Sequence, residues 1–216
     1  MKFFFIKKDK LIKILMITII VMNFLPWSLI IIWCLGLVIY FTALRRNRIN
    51  YKEVINIQPD VMLSPIDGVV KEIIPNINDE FHNVSGTKIR FAQGWSVPCG
   101  IYLPMACQIR NTEHYDGKYF IRNRESLKFT HGYYRNNITL KNKANKKSYL
   151  ELVKCPFGRK PKIWVEAGDK GKLGSCIGFM PFGGTVVMTV PSDSEIFCKV
   201  GDRVRAGETV ISGMRE

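Results

Sequence analysis

Residues 163–180, IWVEAGDKGKLGSCIGFM, and residues 196–214, IFCKVGDRVRAGETVISGM, are two copies of one pattern. They match at Ile163/Ile196, Gly168-Asp169/Gly201-Asp202, Lys170/Arg203, Lys172/Arg205 and Gly174/Gly207, a spacing of 33 residues. Each copy reads as a short apolar strand, a Gly-Asp turn, a basic outward residue, then Gly and another strand. Glycine supplies the positive φ such turns need, and Asp hydrogen-bonds to nearby backbone. Two hairpin units of this kind pairing face to face predict a small β-sandwich or barrel. Between the copies lies PFGGTVVMTVP (181–191).

Working outward, the chain has 216 residues and a net charge of +14, enough for one domain and a short addition. The addition is N-terminal. Residues 14–44 carry no charge over 31 positions, more than the ~20 residues that cross a bilayer as a helix. Asn23 and Pro26 interrupt this stretch, so it predicts a kinked span or a helical hairpin over residues 1–44. Lys7, Lys8, Lys10 and Lys13 precede it and Arg45, Arg46 and Arg48 follow it. Basic flanks on both sides favour two cytoplasmic ends and hence the hairpin. The expected location is a bacterial-type inner membrane with the remainder of the chain facing the cytoplasm. The basic runs KNKANKK (141–147) and GRKPK (158–162) suit anionic headgroups. With an anchor present, phospholipid is the expected partner and nucleic acid is not.

Six cysteines (34, 99, 107, 155, 176 and 198) show no CxxC spacing, and His82, His114 and His131 do not pair with any of them at ligand spacing. No metal is expected, and the thiols read as reduced and mostly buried. Residues 45–60 read as a polar connector, with Tyr51–Ile57 along the membrane surface. The domain proper is 61–216. In it, VMLSPIDGVVKEIIP (61–75) predicts strand–turn–strand. Residues 76–100 predict a loop on the membrane side, with Phe81, Phe91 and Trp95 at the interface or capping the core. CGIYLPMACQIR (99–110) predicts one buried strand, TEHYDGKY (112–119) a turn, and NNITLKN with SYLELVK (136–142, 148–154) a hairpin.

SPIDGVV (64–70), the FTALRRNR exit from the anchor and the block from Gly168 to Ser212 together resemble the short, membrane-associated phosphatidylserine decarboxylases. The resemblance implies a self-cleaving proenzyme. In that family a Ser in an FGS or LGST motif attacks the preceding Gly carbonyl and becomes a pyruvoyl group, the electron sink for decarboxylation. An Asp in SPxDG and a His in a DVHVNR-like segment assist that Ser.

Carried over residue by residue, the Asp is Asp67. The DVHVNR-like segment falls on CQIRNT (107–112), placing the His at Ile109, or at Gln108 or Arg110 with a one-residue shift. FGS falls on Phe182-Gly183-Gly184, placing the pyruvoyl-forming Ser at Gly184. Glycine has no hydroxyl. Leu173-Gly174-Ser175 spells a second LGS nine residues upstream, where Ser175 is either a turn residue aligned with Glu208 or a displaced nucleophile. His114 reads as a turn residue or a substitute base, and Asp67 as a retained base or an Asp-Gly turn.

The leading expectation is a fold kept without catalysis. No cofactor is expected, and a pyruvoyl group arises only if the chain cleaves at Gly174/Ser175. Such a protein would bind phospholipid headgroups, an active relative or a second copy of itself. The alternatives are an active decarboxylase cleaved at Ser175, and a lipoyl-like membrane adaptor, since SPIDGVV and VGDRVRAGE also resemble the half-motifs of lipoyl-type sandwiches. No Met-Lys-Met or Asp-Lys carrier hairpin accompanies them.

Overall fold

A computed structural model describes residues 8–24, 26–45, 61–79, 84–117, 134–154 and 159–214. Expectations for the connector 46–60, Tyr51–Ile57, Phe81, His82, His131 and Cys155 lie outside these residues.

The N-terminus forms two helices, α1 (Lys8–Phe24) and α2 (Trp27–Ala43), 17 residues each. Pro26 ends the continuity: its ring fixes φ at −62°, it caps α2 in an extended conformation, and it offers no N–H to α1. The helices run antiparallel. Trp33 Nε1 donates to Thr18 Oγ1 at 3.3 Å, and Ile14, Ile17, Leu37 and Tyr40 line a cavity of about 230 Å³ between them. No described helix is long and apolar enough to cross a membrane. The single kinked span is therefore corrected to a pair of shorter helices. The pair meets the β domain through its base: Tyr40 and Leu44 pack on Cys99 and Phe179, and Cys99 N donates to Arg45 O at 2.9 Å.

The rest is β. The first run is β1 (Val61–Leu63), β2 (Gly68–Asp79) and β3 (Val84–Gln93). Next come β4 (Gly100–Tyr102), β5 (Cys107–Tyr115), β6 (Arg135–Lys141), β7 (Lys147–Lys154), β8 (Lys162–Ile163), β9 (Lys170–Gly171) and β10 (Cys176–Phe179). The chain closes with β11 (Gly184–Pro191), β12 (Ser194–Ile196), β13 (Arg203–Val204) and β14 (Val210–Met214). An antiparallel sheet runs β13-β2-β3-β11-β7-β6-β5-β9, and two small sheets run β1-β14-β12 and β4-β10-β8. Inward residues alternate along the strands, as in Ile89/Phe91, Leu150/Leu152 and Val186/Met188/Val190, and join Met62, Ile66, Met105 and Ile177 in one core.

These sheets carry a duplication deeper than the sequence repeat. The large sheet is symmetric about the β11–β7 pair, and each half joins one small sheet. β1 pairs β14 as β4 pairs β10: Val61↔Gly213, Met62↔Ser212 and Leu63↔Val210 match Gly100↔Phe179, Ile101↔Gly178 and Tyr102↔Cys176. β2 pairs β3 as β5 pairs β6, with the bulge at the same place, between Val70 and Glu72 in one half and between Ile109 and Asn111 in the other. The turn bonds repeat too. Gly201 N donates to Val70 O and Gly168 N to Ile109 O, both at 2.9 Å, while Asp202 and Asp169 carboxylates accept from Lys199 N (2.7 Å) and Glu166 N (2.9 Å). One half is thus β1–β3 with β11–β14, and β4–β10 forms the other as an uninterrupted insertion.

The two copies of the sequence repeat consequently do not pair with each other. β9 and β13 are opposite edges of the large sheet, and each copy pairs with its own upstream segment, 102–110 or 63–70. Three further expectations change. Of the expected loop 76–100, residues 76–79 continue β2 and 84–93 are β3, with Lys88 and Arg90 buried against Glu151 (3.4 Å) and Glu72 (3.1 Å). Phe91 is in the core, while Trp95 is exposed. Residues 99–110 make two strands with a corner at Leu103–Ala106, and β5 continues through His114 to Tyr115, so 112–115 is not a turn.

Candidate functional site

The segment Ser64-Pro65-Ile66-Asp67 turns the corner between β1 and β2. Ser64 is fully buried and its hydroxyl donates to Ile66 O at 2.7 Å, an arrangement that closes the corner on itself. Gly207 N donates to Ser64 O, Ser64 N to Thr209 O and Tyr102 N to Pro65 O, so the corner is held on both sides by backbone. The corner presents Asp67 at the start of β2. Its carboxyl is 7% exposed and its pKa is pushed up to about 6. Burial is the main cause; the Ala206 N–H acts against it, and Glu208 adds to it.

Gly68, Gln93 and Gly184 stand in one row across β2, β3 and β11. Met180-Pro181-Phe182-Gly183 makes the turn into β11, closed by Gly183 N donating to Met180 O at 3.2 Å. Pro181 precedes Phe182 at φ 64° and Gly183 at φ 81°. Phe182 is thus a non-glycine residue held in the left-handed region, a conformation that costs about 1–2 kcal/mol. Gly183 admits no side chain at all, since a Cβ there would lie 2.4 Å from Gln93 O.

Gly184 faces inward, in phase with Val186, Met188 and Val190. A Cβ on it would meet Met180 Sδ at 2.2 Å and Cε at 2.6 Å, and Met180 is fully buried. The thioether fills the space that a serine side chain would need. Ile109 is also inward-facing, 1% exposed and part of the same core as Met180. Its neighbours in register, Gln108 and Arg110, lie outside that core, half-buried and exposed. At the positions where the family resemblance implies a hydroxyl and an imidazole, hydrocarbon and thioether are closely packed. A pyruvoyl group does not fit at position 184, because glycine carries no hydroxyl from which to form it; the Met180 thioether lies where such a side chain would stand.

Ser175 occupies the turn Lys172–Ser175, with Gly174 at φ 71°, and donates its N–H to Lys172 O at 3.0 Å. Glu208 does the same in the other half, donating to Arg205 O at 3.2 Å with Gly207 at φ 68°. Leu103 N donates to Ser175 O, so the main chain around Ser175 is tied into the small sheet. His114 is exposed on β5, its Nδ1 hydrogen-bonded to Asn136 Oδ1. His114 lies on β5 and Asp67 at the start of β2, strands that do not pair with each other. The described cysteines are free thiols, and burial pushes Cys99 and Cys107 up to about 12, out of the thiolate range. Met180 is the residue that sequence reasoning did not pick out. It precedes Gly184 by four positions, and nothing in its spacing announces that it folds back.

Known proteins resemble this chain. The phosphatidylserine decarboxylase family profile matches residues 100–212. Similar proteins include a phosphatidylserine decarboxylase proenzyme of Desulfotalea psychrophila, 28% identical over 71% of this chain and 71% of that protein. One of the same name from Syntrophotalea carbinolica is 23% identical over 91% of this chain and 89% of its own length. A protein of Methanococcoides burtonii named as an archaetidylserine decarboxylase proenzyme is 51% identical, over 23% of this chain and 24% of its own length.

Proposed function

The chain belongs to the phosphatidylserine decarboxylase family, and from that premise we propose that it is a member of phospholipid metabolism that neither cleaves itself nor decarboxylates. The observation that carries this reading is Gly184 with the Met180 side chain lying in the volume a nucleophilic serine would occupy. Ile109 supports it, since an apolar side chain in the core cannot move a proton. Asp67 remains as a buried carboxyl with a raised pKa, while the positions where the family resemblance implies a hydroxyl and an imidazole hold Gly184 and Ile109. The protein binds phospholipid headgroups or an active relative in place of turning lipid over.

The reading includes a membrane anchor built as a hairpin. Leu15, Met16, Ile19, Ile20, Ile31 and Ile32 are exposed on α1 and α2, an apolar surface that only lipid or protein would cover. At ~1.5 Å per residue each helix is ~25 Å long, suited to a shallow re-entrant insertion. The hairpin returns Lys10 and Lys13 to the side of Arg45, which fits a cytoplasmic location of the β domain on an inner membrane. The direct test is incubation of the purified full-length protein with phosphatidylserine vesicles. No phosphatidylethanolamine should form, and its formation would overturn the proposal. Extraction of membranes at alkaline pH should leave the chain with the lipid.

A further inference from the structure

The duplication gives the site around Asp67 a counterpart in the other half. Register carries Asp67 onto Ala106, Gly68 onto Cys107 and Val69 onto Gln108. It also carries Lys71 onto Arg110, Ala92 onto Lys141, and Arg203 and Arg205 onto Lys170 and Lys172. These counterpart residues enclose a cavity of about 460 Å³ at the β5–β6–β9 edge, completed by the Lys141–Lys147 turn. Five cations line it: Arg110, Lys141, Lys143, Lys170 and Lys172. Among the described residues no carboxylate does, and the position of Asp67 in the first half's corner is held here by alanine. Among the described residues none of the five is paired with a carboxylate.

We propose that this cavity is a binding site for a phosphate ester, with Lys141 and Lys170 as its principal contacts. Five like charges around one cavity repel one another, and a polyanion relieves that repulsion while gaining charge-assisted hydrogen bonds. The volume is within the ~300–1,000 Å³ range of small-molecule sites and exceeds what a bare inorganic ion needs. Ala106 and Cys107 give it an apolar floor for the organic part of an ester. Among the described residues no aromatic side chain lines it, so these residues offer no stacking platform of the kind that single-stranded nucleic acid uses. The Cys107 thiol, held protonated by burial, makes the site one of binding and not of thiol chemistry. The proposal stands on this half of the sheet alone and does not depend on whether position 184 is silent.

The same ester chemistry is found on soluble metabolites and on lipid headgroups, and two probes separate them. Titration calorimetry of the full-length protein in neutral detergent is carried out with glycerol 3-phosphate and with a short-chain phosphatidylserine. Saturable binding of the first assigns a soluble ester, and of the second alone a lipid headgroup. In either case the Lys141→Gln/Lys170→Gln variant should weaken binding by about tenfold or more, and added salt should weaken the native protein's binding. Lys172→Gln, a single exposed change, should give a smaller loss in the same direction. The matching pair in the other half, Arg203→Gln/Arg205→Gln, should leave binding within about twofold. Absence of saturable binding by both probes, or equal binding by the Lys141/Lys170 variant with its melting temperature unchanged, overturns the assignment.

Discussion

The two halves of the large sheet share strand pairing, bulge positions and turn bonds, yet differ in charge where Asp67 matches Ala106 and Ala92 matches Lys141. At the start of β2 sits a buried carboxyl, with closely packed apolar residues around Gly184. At the start of β5 sits an open cavity ringed by cations. Backbone hydrogen bonding therefore specifies the frame and leaves the corner residues free to diverge. In the first half that divergence closed an interior position with Met180; in the second it removed a carboxylate and added Lys141. One frame thus carries two surfaces of different chemistry, and fold kinship alone does not settle activity.

The comparison is most easily broken at the turn into β11. Gly183→Ala places a Cβ 2.4 Å from Gln93 O at φ 81°, and neither backbone can yield. We expect a loss of more than about 3 kcal/mol in urea denaturation. The matching residue of the other half, Asn145, tolerates its φ of 63° as a polar turn residue, so Asn145→Ala should cost only about 1 kcal/mol. Equal losses would contradict the divergence of the two turns.

A smaller effect is expected where the first half has been filled. Gly184→Ser overpacks against Met180 and should cost about 1–3 kcal/mol. The hydroxyl it introduces should not bring about cleavage, because Ile109 remains apolar. A variant as stable as the native chain would show that Met180 does not hold the space.

The smallest effect concerns Asp67. Its folded pKa of about 6 lies above the ordinary value of 3.8, so between those values the folded state holds the proton more firmly than the unfolded state. The protonated carboxyl therefore contributes stability at low pH that is lost as pH rises from about 4 to 6. At pH 7 the ionised group is a net cost, and Asp67→Asn should stabilise by about 1–2 kcal/mol and flatten that part of the pH–stability curve. Ala106→Asp in the other half faces the five cations and should show the reverse slope. Identical pH profiles for the two would remove the electrostatic contrast between the halves.

How far the sequence could be read follows from what each residue responds to. The β class, the SPID corner and the Gly-Asp turns were visible because positive-φ glycines and Asp side chains act locally: Gly168 and Gly201 behave alike, with φ 100° and 99°. The hairpin at 136–154 was legible from alternation. The strand β3 was not, since Lys88 and Arg90 look like loop residues until the partners Glu151 and Glu72 are brought to them by other strands. For the same reason the pairing of the repeat was misread: its copies look self-complementary but pair with 63–70 and 102–110, whose likeness to each other is carried by backbone and hardly by side chains. The absence of a hydroxyl at Gly184 was legible at once. Its filling by Met180, and the gathering of Arg110, Lys141 and Lys170 around one cavity, depend on long-range register.

The most direct test of the central claim is the intact mass of the full-length protein purified in detergent, read beside a denaturing gel. The account predicts one species at 24.8 kDa with an ordinary N-terminus. A 42-residue fragment starting at position 175, its N-terminus blocked as a pyruvoyl group, would contradict it and make Ser175 the nucleophile of a self-processing enzyme.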